Sequence, residues 1–382
     1  HYYMALVAMA FGDQTAAEKN LKKMNAHSEK GYPSLTALII LRDFFQSKDI
    51  WREGMPEYDR YQTLLNGAPQ VKEVAKDLTA PKSITPQIGA AIAFYDVSVA
   101  LAPLKLEETS LIFNALAMYL KADSVAFKFW AGELLEMSGN HQAANRVYQL
   151  IPHKNDVISR KMILNFLTIG QYSEAIPILR QMAQQNPNDP SIQMLLGESL
   201  FQTQDYSHAL QTFTRATDLF QKENQTAGMG RALFMKALIY DKMGNEEQVE
   251  KSLLSALRQI PNDPQTLNYL GYLWLDKRKN IDEAFKMVEK AAELDPSDPA
   301  IMDSLALGYY LKKDYQKALE LAEKSTDLIS YSSVAYAHLG DIYAALNRPK
   351  EAHYQYRKAL DLTTDMTPEL KAELEKKLNL TR

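Results

Sequence analysis

Residues 299–332 read PAIMDSLALGYYLKKDYQKALELAEKSTDLISYS, and residues 333–362 read SVAYAHLGDIYAALNRPKEAHYQYRKALDL. Set one above the other at a 34-residue step, the two stretches repeat. Leu305, Ala306, Tyr309, Ala318, Ala322 and Ser325 in the first copy face Leu339, Gly340, Tyr343, Ala352, Tyr356 and Ala359 in the second. Apolar and small residues recur at helical spacing in two blocks per copy, so each copy is a helix–turn–helix. A lone hairpin cannot bury its apolar face, so copies must stack. The fold expected is all-α, an α-solenoid of stacked helix-turn-helix hairpins.

The same offsets extend upstream. The unit from Pro264 carries Leu270, Gly271, Trp274, Ala284, Ala291 and Pro296, with one extra residue within 277–280. The unit from Gly230 carries Ala237, Tyr240, Leu253, Ala256 and Pro261, and the unit from Pro190 carries Leu196, Gly197, Ala209, Phe213 and Ala216. Between them the polar stretch 221–228 is surplus and should lengthen a helix or its loop. The unit from Asp156 carries Phe166, Ala175, Leu179 and Pro187; that from Ser124 carries Trp130, Ala131, Leu134, Ala143 and Val147, and is short. Small residues let the two helices of a hairpin approach, and large ones fill the space between hairpins. Prolines 187, 261 and 296 end second helices.

Residues 86–120 form one more helical pair, 89–101 with 107–120. Residues 1–78 are helical in pattern but match the repeat weakly, with helices expected over 16–27, 33–45, 50–65 and 71–78. The stretch 79–86, TAPKSITP, is the clearest boundary, with Thr85 and Pro86 placed as cap and first helical residue. At the other end Thr367-Pro368-Glu369 starts a last helix whose Leu370, Leu374 and Leu378 form one stripe. The expected organisation is 1–85 divergent hairpins, 86–366 repeat array, and 367–382 capping helix.

Composition sets the exclusions. The 382 residues are 46% hydrophobic and 24% charged, as in ordered proteins. A net charge of −4 argues against nucleic-acid binding through bulk positive charge. The absence of cysteine removes disulfides, thiolate metal sites and cysteine nucleophiles. No apolar run is expected to approach the roughly 20 residues of a membrane span. The run 2–11, YYMALVAMAF, has the character of a signal-peptide core. Gly12-Asp13 and the helical spacing of Ala17, Leu21 and Met24 favour another reading, in which the chain begins inside the first helix of a repeat.

The stretch 124–362 resembles the tetratricopeptide repeat superfamily, whose period and W-x2-L-G-x2-Y…A-x3-F…P pattern these units follow. The C-terminal third resembles proteobacterial repeat proteins in Leu267-Asn268-Tyr269-Leu270-Gly271-Tyr272, Asp303-Ser304-Leu305 and His338-Leu339-Gly340-Asp341. Some of those proteins carry export or lipoprotein signals. The resemblance therefore leans toward the bacterial cell envelope over the cytoplasm, with any membrane association through an anchor upstream of residue 1. It implies a right-handed superhelix, a concave face built by the first helix of each pair, binding of a protein or peptide, and no catalysis by the repeats. This sequence departs from the pattern at Lys236, where leucine is usual, and in the missing closing proline of the unit from Ser124.

No phosphate-binding loop or dinucleotide turn is present; Gly228-Met229-Gly230 is too short a run. The seven histidines are scattered. His338 and His353 lie in the two helices of one unit, but two ligands do not make a metal site. Glu107-Glu108 and Glu246-Glu247 suit helix starts, and Lys22-Lys23 and Lys376-Lys377 are read as solvated faces. No catalytic residue, metal, cofactor or small-molecule substrate is expected.

The groove-facing offsets implied by the resemblance are different, because no core demands them. They select Lys128, Glu136, Arg160, Met194, Glu198, Phe201, Arg231, Phe234, Asp241, Asn268, Tyr272, Asp276, Asp303, Leu307, Tyr310 and Asp341. The lysine-and-asparagine set that clamps a C-terminal carboxylate in some chaperone adaptors is absent. Aromatics beside acids suit a partner segment carrying apolar and basic residues, bound with its basic end against the C-terminal repeats. The reading is a non-catalytic interaction scaffold; the alternative is the non-catalytic repeat region of a larger enzyme or secretion machine.

Overall fold

A computed structural model of the chain describes residues 13–26, 85–152, 154–363 and 365–380, with isolated positions 4, 5, 8, 42, 58, 59, 62 and 63. Apart from those isolated positions, the helices expected over 33–45, 50–65 and 71–78, and most of the boundary at 79–86, lie outside the described residues. Among the described residues every element is helical and none is a strand.

The chain divides into two compact units, His1–Pro187 and Asn188–Arg382. In the first lie α1 (Gln14–Ala26), α2 (Pro86–Leu101), α3 (Glu107–Leu120), α4 (Val125–Met137), α5 (His141–Gln149), α6 (Asp156–Thr168) and α7 (Tyr172–Gln185). In the second lie α8 (Pro190–Gln202), α9 (Tyr206–Lys222), α10 (Thr226–Lys242), α11 (Glu246–Gln259), α12 (Pro264–Asp276) and α13 (Ile281–Leu294). The same unit continues with α14 (Pro299–Leu311), α15 (Tyr315–Leu328), α16 (Ser333–Ala345), α17 (Pro349–Asp361) and α18 (Pro368–Leu380). Consecutive helices pair as antiparallel hairpins, and each hairpin packs on the next within its unit.

Local chemistry explains the boundaries. Three first helices, α8, α12 and α14, begin with an acid and a proline: Asp189, Asp263 and Asp298 accept from the first-turn N–H groups, and Pro190, Pro264 and Pro299 follow. Thr85 caps α2 in the same way, accepting from Ile88 N. Each turn into a second helix carries a left-handed residue, at Lys105, Gly139, Gly170, Gln204, Gly244, Arg278, Lys313 and Asn347. The surplus stretch 221–228 lengthens both of its neighbours, for α9 and α10 are 17 residues each, and α10 starts at Thr226 rather than Gly230. The extra residue of 277–280 adds a second left-handed position, Asn280.

The small residues sit where helices touch. A Cβ on Gly197 would lie 2.9 Å from the Phe213 ring, and one on Gly340 would lie 2.4 Å from Tyr356. Ala175, Ala209, Ala284, Ala318 and Ala352 are fully buried. At the C-terminus Thr367 caps α18, accepting from Leu370 N at 3.1 Å. Leu374 is buried completely, with Leu370 and Leu378 packed beside it.

Two expectations are corrected. Lys377 does not lie on a solvated face: it bridges Asp341 at 2.7 Å and also pairs with Glu373. A membrane-length apolar run does exist. With the 3-10 turn Ala102–Leu104, α2 forms a continuous 19-residue stretch, Pro86–Leu104, long and apolar enough to cross a bilayer. The helix signal runs through Pro103 because a proline early in a new turn forfeits no internal bond. In the structure this helix pairs with α3 and buries Ala91, Ile92, Tyr95 and Ser98.

Candidate binding surface

In the second unit the first helices α8, α10, α12, α14 and α16 turn their small residues toward the second helices. The expectation that no core demands the groove-facing offsets is corrected here: Met194, Asp303 and Leu307 are buried, Leu307 belongs to the core of this unit, and Phe234, Tyr272 and Tyr310 pack against it. Glu198 on α8 and Arg231 on α10 form an ion pair at 2.8 Å, so the charge of this arginine is matched locally. Phe201 lies against Tyr206 with ring centres 5.8 Å apart. Phe234 on α10 meets Tyr269 on α12 edge-on at 6.2 Å.

The densest convergence involves three first helices in succession. The Tyr272 ring of α12 lies 6.2 Å from the His338 ring of α16. Between them, Asp303 of α14 holds His338 Nδ1 with Oδ2 at 2.9 Å. Asp303 is only 7% exposed, and its Oδ1 is buried without a hydrogen-bond partner, as is Oδ1 of Asn268 on α12. Asp276 is exposed at the end of α12. Asp341 of α16 accepts from the Tyr356 hydroxyl at 2.8 Å and from Lys377 of α18 at 2.8 Å. Tyr310 of α14 contacts Tyr315 at 5.8 Å.

The electrostatics follow from these positions. Burial pushes the Tyr272 hydroxyl far above the ordinary tyrosine range, and the negative charges of Asp276 and Asp303 push it further. Burial alone lowers the affinity of His338 for its proton. The carboxylates of Asp303, Asp341 and Asp276 outweigh that, and the group ends above its ordinary 6.5. Three acids and the Tyr272 phenol thus surround one largely buried imidazole. The offset reading missed His338 as a member of this surface, because its position adjoins the core residue Leu339 and its partner lies one repeat earlier. The pairing considered from sequence, His338 with His353, is not what the structure uses at Nδ1.

Lys128 and Arg160 belong to the first unit. Lys128 Nζ donates to the Leu150 carbonyl at 3.2 Å, and Arg160 is exposed on α6. Beside them is a cluster that the offsets did not select, apart from Glu136. Lys161 of α6 bridges Glu133 and Glu136 of α4. Asn165 Nδ2 donates to Glu136 at 2.8 Å and to Asn145 at 3.0 Å, while its Oδ1 pairs with His141. Each member is satisfied by another, which suits a polar network that fixes the register of α4, α5 and α6. No group of three or more metal-ligating side chains occurs among the described residues.

Comparisons with known proteins agree with this architecture. Two tetratricopeptide repeat family models match, one over residues 167–227 and the other over 230–263 and 333–365. A TPR repeat-containing protein of Pseudomonas aeruginosa is 26% identical over 220 residues, covering 56% of this chain and 36% of that protein. The human protein O-mannosyl-transferase TMTC1 is 21% identical over 219 residues, covering 55% of this chain and 24% of that protein. This chain thus spans about a third or less of the length of these relatives. Among solved structures, the Cut9-Hcn1 hetero-tetramer of the APC/C aligns over 100% of this chain and 89% of its own, with a TM-score of 0.52 and 16% identity, a likeness of fold alone. Residues 167–227, 230–263 and 333–365 are thus tetratricopeptide repeats, set in a chain whose described helices stack as helical hairpins.

Proposed function

We propose that this chain is a non-catalytic scaffold that holds a basic, apolar segment of a partner protein against α12, α14 and α16. Tetratricopeptide repeats serve as protein-interaction scaffolds, and that general role is the starting point. The observation that carries the finer reading is the convergence of Tyr272, Asp303 and His338 from three successive first helices, with Asp276 exposed beside them. Aromatic side chains anchor protein interfaces, and surrounding carboxylates select and steer a cationic partner. Asp341 contributes less than its offset suggests, because Lys377 already neutralises it. Asp303 is likewise buried and already paired with His338, so the partner's cation falls to Asp276.

The test begins with the partner, identified by crosslinking in the source cell, and proceeds with purified proteins. Tyr272→Ala should weaken binding by at least about 1 kcal/mol, the usual threshold for an interface anchor. Asp276→Lys, at an exposed position, should slow association and flatten its salt dependence. Equal binding by both variants and the unmodified chain would place the interface elsewhere.

A second reading is favoured by relative length. Because the chain spans only 36% and 24% of two relatives, the scaffold can be the repeat region of a larger protein whose activity lies outside these residues. Mass spectrometry of the natural gene product, showing or lacking a further folded domain, separates the two.

A further inference from the structure

The one large departure from the repeat period makes a pocket. Left-handed turn residues Gln204 and Gly244 are 40 positions apart, where a regular unit needs 34. The surplus lets α9 run on to Lys222, which carries the Phe220 ring against the first turn of α10. A Cβ on Gly228 would lie 2.4 Å from that ring, so only glycine permits the contact. Above this floor lies a pocket of about 460 Å³. One wall is a single face of α8, formed by Ser191, Met194, Leu195 and Glu198 at helical spacing; the other is Ala227, Gly228 and Arg231 of α10. Arg231 stands over the opening, 68% exposed at its side chain, and is held by Glu198 Oε1 at 2.8 Å.

We infer that this pocket takes one tryptophan side chain of a partner protein, a reading that rests on the scaffold role proposed above. The volume falls within the roughly 300–1,000 Å³ range of ligand pockets, enough for a large side chain. The floor and one wall offer an aromatic ring and a thioether, both favourable partners for an aromatic guest. The guanidinium of Arg231 can stack on the open face of the indole. Glu198 gives Oε1 to Arg231, and an ionised carboxylate has acceptor sites left for the indole N–H. An aliphatic guest gains neither the stacking nor the hydrogen bond. A lysine guest meets an apolar floor and the positive charge of Arg231.

The probe is N-acetyl-tryptophanamide, with N-acetyl-leucinamide as the control, and the readout is the methyl resonance of isotope-labelled Met194. The tryptophan amide should shift this signal saturably, and the leucine amide should bind about fivefold to tenfold more weakly, as expected for one cation–π contact plus one hydrogen bond. Ala227→Phe fills the pocket from an exposed position and should abolish the shift. If that variant loses helical structure, Glu198→Leu replaces it and should remove the preference for tryptophan over leucine. An unmoved Met194 signal, an equal response to both amides, or a response unchanged by the filling or acceptor variant overturns the assignment. These outcomes do not involve Tyr272 or Asp276, so a partner that depends on those two residues while Met194 stays silent removes the pocket and leaves the scaffold reading standing.

Discussion

Gly244 has φ +70, and a Cβ added there would meet nothing within 4 Å. Its substitution therefore isolates backbone strain from packing. Left-handed geometry costs an L-residue roughly 1–2 kcal/mol, offset in part by the lower entropy of an unfolded alanine chain. Gly244→Ala should cost about 1 kcal/mol in urea unfolding. Gly271 is the opposite case, because a Cβ would lie 2.7 Å from Val288 Cγ1 and 3.0 Å from the Ala284 carbonyl. Gly271→Leu should cost at least about 1–3 kcal/mol through overpacking, read as a lower thermal midpoint. His338 adds a pH dependence. Its folded affinity for a proton exceeds the unfolded value of 6.5, so the native state binds more proton. The stability it contributes is complete below 6.5 and is lost as pH rises through the folded value. Denaturation midpoints measured at rising pH should fall in this window, and His338→Gln should remove that component of the slope.

At the scale of elements, α16 is started by a residue that lies far along the chain. Asp365, in the segment before α18, accepts from Ser333 N at 2.7 Å and from Val334 N at 3.4 Å. It also accepts from the Ser332 hydroxyl at 2.7 Å and from the Ser333 hydroxyl. Those bonds outweigh its partial burial and hold its carboxyl below the usual range. Asp365→Ala removes this cap and should cost about 1–2 kcal/mol, the upper range for N-cap losses, measured by chemical denaturation at neutral pH. The same segment leads into α18, whose Leu374 is buried and whose Lys377 reaches Asp341. A cap that crosses repeats cannot be found from local propensity, because Ser332 already satisfies the local rule by accepting from Ala335 N.

For the whole molecule, each hairpin packs on its sequence neighbours within a unit, so stability is a sum of repeat terms and adjacent interfaces. The second unit, Asn188–Arg382, carries five hairpins and its own terminal helix. Expressed alone, residues 188–382 should fold with a helical circular dichroism spectrum and one cooperative melt. A spectrum with strand content, or no transition, would contradict the solenoid description.

The repeat period, the small residues between helices, and the Thr85 and Thr367 caps with their prolines were all legible in the sequence. Each depends on residues a few positions apart, and the physics of one turn or one helix face is local. The lengthened α9 and α10 were visible as surplus residues, but not the pocket that they enclose. Tertiary structure alone decided which groove-facing residues meet. Stacking brings Tyr272, Asp303 and His338 together from three units, buries Asp303 against an imidazole, and gives Asp341 to Lys377 before any partner arrives. Periodicity names the face on which a residue lies. The packing of successive hairpins sets how close their first helices come, and that distance is a sum over many packed side chains that no single stretch of sequence contains.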